Sequence, residues 1–61
     1  MKKMYRVGWY RNDIEDGRAY YGEWHENEST VKVLVDEGNR TFTNLTHFVD
    51  KNFVEHYDLK T

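Results

Sequence analysis

The stretch Thr30-Val31-Lys32-Val33-Leu34-Val35-Asp36-Glu37, followed at once by Gly38-Asn39, decides how this chain folds. Read with a period of two, Val31, Val33 and Val35 form one β-branched face. Branched side chains sit well on a pleated, half-buried surface, so the segment reads as a strand over Thr30 to Glu37. Gly38 and Asn39 tolerate positive φ, as a tight hairpin requires. They would lead into a further short strand over Arg40 to Thr43, with Phe42 as its large apolar group.

The same period runs upstream. In Met4 to Arg11, Tyr5, Val7 and Trp9 alternate with Arg6, Gly8 and Tyr10, which predicts a first strand. Gly8 inside it signals a bulge or a close backbone approach. Asn12 to Gly17 reads as a polar loop closed by an Asp16-Gly17 turn, and Arg18 to Glu26 as the second strand. Downstream the period changes: Leu45, Phe48 and Val49 stand at i, i+3 and i+4, with Thr43 or Asn44 available as a cap. A short helical turn is expected near residues 44–50, and a last strand over Phe53 to Tyr57. Four to five short antiparallel strands in one domain, 1–61, must curl to bury one face. The expected fold is all-β, a small SH3-like barrel, with an open sheet crossed by a helix as the alternative.

Composition bounds the function. A chain of 61 residues buries only about 60% of its unfolded surface, and with no cysteine it has neither disulfides nor thiolate zinc sites. The net charge of −2 provides no broad field for DNA or an anionic membrane. The opening Met1-Lys2-Lys3 is followed by no apolar run, because Arg6, Arg11 and Asp13 interrupt it. A cytoplasmic, complete small protein with no membrane partner is expected, as monomer or homodimer. No nucleophile with a base, phosphate loop or paired carboxylates stands out, so a non-catalytic role without cofactors is expected. The spacing of His25, His47 and His56 matches no zinc site.

Three pieces in order carry a resemblance. Asp16-Gly17-Arg18-Ala19-Tyr20-Tyr21 is followed by Val35-Asp36-Glu37-Gly38-Asn39-Arg40 and then by Asn44-Leu45-Thr46. Between about Val7 and Phe48 the chain resembles Tudor domains, most closely those of the survival-of-motor-neuron type. The resemblance implies an SH3-like barrel that holds methylated arginine or lysine in an aromatic cage through cation–π attraction. Tyr20 would match a cage ring, Asn39 the cage asparagine, and Trp9 or Tyr10 a ring from the end of the first strand. Leu34 and Glu37 stand where the family carries aromatic residues.

Ten of the residues are Phe, Trp or Tyr, more than one small core can bury. Trp24, Phe42, Phe48 and Phe53 are assigned to that core. Trp9, Tyr10, Tyr20 and Tyr21 remain as an expected contact rim, with Asn39 added by the resemblance, for a protein or peptide ligand. The alternative function is a nucleic-acid-associated regulator, because Lys2, Lys3, Arg6, Arg11 and Arg18 are interleaved with those rings.

Overall fold

A computed structural model describes residues Met1–Glu55. Its elements are strand β1 (Lys2–Arg11), the two-residue strand β2 (Tyr20–Tyr21), helix α1 (Glu28–Thr41) and strand β3 (Leu45–Val54). The strands form one antiparallel sheet in the order β2-β1-β3. The expected all-β barrel of four to five strands is therefore corrected to an open three-stranded sheet with one helix, an α+β fold.

The correction falls on the stretch that decides the fold. The segment expected to hold two strands and the Gly38-Asn39 hairpin is a single helix of 14 residues. Asn27 starts it: its side-chain oxygen accepts from the backbone N–H of Ser29 (2.8 Å) and Thr30 (3.4 Å), satisfying donors that have no intrahelical partner. Glu28 in the first turn and Arg40 in the last complement the helix dipole. Val31, Val35 and Gly38, at i, i+4 and i+7, face inward. Val31 is fully buried and Val35 nearly so, whereas Val33 is 57% exposed. A period of two would have buried all three valines together; the helical period separates Val33 from the others.

The expected helical turn at 44–50 is likewise corrected. Leu45–Val54 lies fully extended against β1 in one continuous register from Arg11–Leu45 to Lys2–Val54. Ladder pairing with ten residues of β1 overrides a helical spacing of three apolar residues. Phe53 and Val54 belong to this strand; the remainder of the expected last strand, from His56, lies outside the described residues. The expected second strand over Arg18 to Glu26 is reduced to Tyr20–Tyr21 plus a bridge between Tyr5 and His25. The register of Tyr20 and Tyr21 would set Trp24 opposite Tyr5, yet His25 takes that place. One extra residue is therefore accommodated between Gly22 and His25, as in a bulge.

Register also assigns the faces. Gly8 pairs with Phe48 and Trp9 with His47, so even-numbered residues of β1 and β3 share one face and odd-numbered residues the other. The helix covers the odd face. Gly38 lies against the His47 ring, where an added Cβ would stand 2.7 Å from its atoms, and Glu28 reaches Lys51 at 3.7 Å. Among the described residues the buried apolar side chains are few: Val31, fully buried, and Val35, nearly so. Phe42 and Phe53, assigned above to the core, are 52% and 60% exposed. No helix among the described residues is long and apolar enough to cross a membrane.

Candidate functional site

Among the described residues, the even face of the sheet carries no helix. At its centre is Gly8, the one buried residue of β1, with the ring of its cross-strand partner Phe48 lying over its backbone. A Cβ at Gly8 would fall 2.6 Å from Cε2 of that ring. Aromatic cover of a strand glycine fills the space that the missing side chain leaves. Tyr10 and Tyr21 flank Phe48, with centroids 6.1 and 6.2 Å away, Tyr21 meeting it edge-on.

Next to this cluster, Arg6 is clamped. Its guanidinium carbon lies 4.1 Å from the centroid of Tyr21 and 4.1 Å from that of Trp24. Its Nε donates to Oδ2 of Asp50 at 2.8 Å, across the Arg6–Asp50 pair of the ladder. The extra residue after Gly22 is what brings Trp24 to the same face as Tyr21, which strict strand alternation would forbid. The arrangement is an aromatic clamp filled by the protein's own cation, which stiffens both rings through cation–π attraction.

Beyond Tyr10 the face continues into an open groove of about 920 Å³, floored by Tyr10, Thr46 and Phe48 and walled by Ile14, Asp16 and Arg18 of the Asn12–Ala19 loop. The loop is internally braced. Asp16 accepts from the N–H of Arg18 at 2.9 Å, and Gly17 takes φ 73°, so the expected Asp16-Gly17 turn is present. Arg11 donates twice to Asp13, at 3.1 and 2.9 Å. These hydrogen bonds hold the Asp13 carboxyl below its ordinary range and the Arg11 guanidinium above its own.

The five rim residues expected from sequence do not form one site. Tyr10 and Tyr21 lie on the helix-free face. Trp9 and Tyr20 lie on the other face, stacked at 6.2 Å, and Trp9 in turn stacks on His47 at 6.2 Å. Phe42 follows His47 at 6.4 Å, so Tyr20, Trp9, His47 and Phe42 make a row across all three strands. Asn39 is helical, and its amide is spent on the backbone of His47: Oδ1 accepts from the N–H at 2.7 Å and Nδ2 donates to the C=O at 3.2 Å. Leu34 and Glu37 are helical as well, so the cage geometry implied by the Tudor resemblance has no third strand to stand on.

Sequence reasoning placed Trp24 and Phe48 in a core and overlooked Asp50. The available signal was Gly8 between aromatic residues; the partner that covers it lies forty residues away in a segment read as helical. Among the described residues no group of His, Asp or Glu is placed to hold a metal ion. His47 is stacked between rings, His25 pairs with Tyr5 by backbone, and His56 lies outside the described residues. No family model, curated protein or solved structure matches the chain.

Proposed function

We propose that the chain is a non-catalytic protein-binding module whose contact surface is the helix-free face of the sheet. The observation that carries this reading is the set Tyr10, Phe48, Tyr21, Arg6 and Trp24, held together on the face that no element covers among the described residues. Tyr, Trp and Arg are the residue types that dominate binding energy in protein interfaces, because they offer large rigid area with a polar end. Here their positions are set before any ligand arrives, which lowers the ordering cost of binding. The adjoining groove suits an extended segment of the ligand, with Asp16 and Arg18 at its wall for polar contacts.

A pulldown with the wild-type chain, repeated with Tyr10→Ala and Tyr21→Ala, tests the reading. A retained protein that both variants lose by about tenfold or more, with unchanged helical circular dichroism, supports it. Retention unaffected by both variants overturns it.

The row Tyr20, Trp9, His47 and Phe42 favours a second reading, since rings on adjacent strands stack the bases of single-stranded nucleic acid. Single-stranded oligonucleotide binding that is lost with Trp9→Ala and weakens steeply with salt would select it.

A further inference from the structure

The free edge of β3 points to a second copy of this chain. In the ladder, Tyr5 and Val7 of β1 turn their backbone groups toward β2 and His25. The even-numbered residues therefore exchange the β1–β3 bonds, and the odd-numbered residues of β3 turn theirs outward. Most of that edge is already occupied. The N–H of Leu45 donates to the C=O of Phe42 at 3.1 Å. The side chain of Asn39 takes both backbone groups of His47, and the N–H of Phe53 donates to Oδ1 of Asn52 at 2.9 Å. Between these plugs, Val49 and Lys51 keep a donor and an acceptor each with no partner among the described residues.

We infer that two copies join through this gap, antiparallel, about a two-fold axis at Asp50. Val49 then pairs with Lys51 of the second copy and Lys51 with its Val49, so each open donor meets an open acceptor. Other registers fail. An axis at Val49 sets Lys51 against His47, whose groups Asn39 already holds, and an axis at Lys51 sets Val49 against Phe53, whose N–H Asn52 already holds. With the axis at Asp50 the two carboxylates approach on the helix-free face, each neutralised by its own Arg6 at 2.8 Å. The same register stops at the plugs, since His47 meets Phe53. A second copy also meets a need of the chain itself: few side chains are fully buried, and small domains of this kind gain stability by association. A foreign strand would engage the same groups without this self-match.

The test is the sedimentation mass across protein concentrations, with amide exchange read at Val49 and Lys51. A dimer is expected at high concentration, with both amides protected only there. Lys51→Pro removes an N–H that faces away from β1, a position where an edge strand accepts proline. It should weaken the dimer at least about tenfold. A synthetic chain N-methylated at Lys51 should do the same, which covers the case of a misfolded proline variant, and Val33→Ala, at an exposed helix position, should leave the dimer intact. A monomer at all concentrations overturns the inference, as does a dimer indifferent to both changes at Lys51. Protection of the two amides that arises only when a different protein is added overturns it too.

Discussion

At the scale of single residues, two glycines are decided by rings. Gly38 stands in a helix, where alanine is intrinsically better by about 1 kcal/mol. Its Cβ would nevertheless collide with His47, a ring held by stacking on Trp9 and by the contact of its Nδ1 with Asn39 Oδ1 at 3.2 Å. Gly38→Ala is therefore expected to destabilise by about 1–3 kcal/mol in denaturant unfolding, against its helix propensity. Gly8→Ala meets Phe48 in the same way and should cost a similar amount. Combined with Phe48→Leu, the two losses should be clearly less than additive, because the smaller side chain removes the collision. Asp13 has its carboxyl held low by Arg11, so its contribution is present above the ordinary aspartate range and is lost as pH falls through its lowered value. Both groups are solvent-exposed, and NMR titration of Asp13 with and without Arg11→Ala should show the shift with little change in global stability.

At the scale of elements, helix α1 carries the clearest contrast. Val31 and Val33 are equivalent in a strand and opposite in a helix. Val31→Ala should cost about 2 kcal/mol, the worth of a fully buried valine, while Val33→Ala should stay within about 0.5 kcal/mol. Equal losses at the two positions would contradict the helix. Asn27→Ala should remove about 1 kcal/mol by orphaning the N–H groups of the first turn, and should lower helical circular dichroism. Much of the first strand was legible in the sequence, since Tyr5, Val7 and Trp9 alternate cleanly. The helix was hidden because its inner positions are β-branched and its Gly38-Asn39 pair imitates a hairpin. Its start signal is Asn27 before Glu28.

At the scale of the whole molecule, the sheet has two faces of different use. One is covered by α1 and holds the small core; the other displays Arg6 between Tyr21 and Trp24. Arg6→Ala should loosen both rings and Asp50 together, lowering stability by about 1–2 kcal/mol in denaturant unfolding and broadening the Trp24 signals in NMR. For a chain of this size, whose total stability is on the order of 3–9 kcal/mol, such a loss is large. The aromatic excess predicted exposed rings, and the structure leaves Tyr10, Tyr20 and Tyr21 each about two-fifths exposed. Which face each ring joins was not legible, because it depends on the registers of β2 and β3 against β1.

By itself the sequence determined the first strand, the Asp16-Gly17 turn and the surplus of rings beyond what a small core can hold, since these follow from alternation, positive φ and volume. Only the tertiary structure decided the state of Thr30–Thr41 and of Leu45–Val54. Val31 and Val35 gain burial against the sheet as a helix, and Leu45–Val54 gains a full ladder against β1 as a strand. Those gains, made between segments far apart in the chain, exceed the local preferences that pointed the other way.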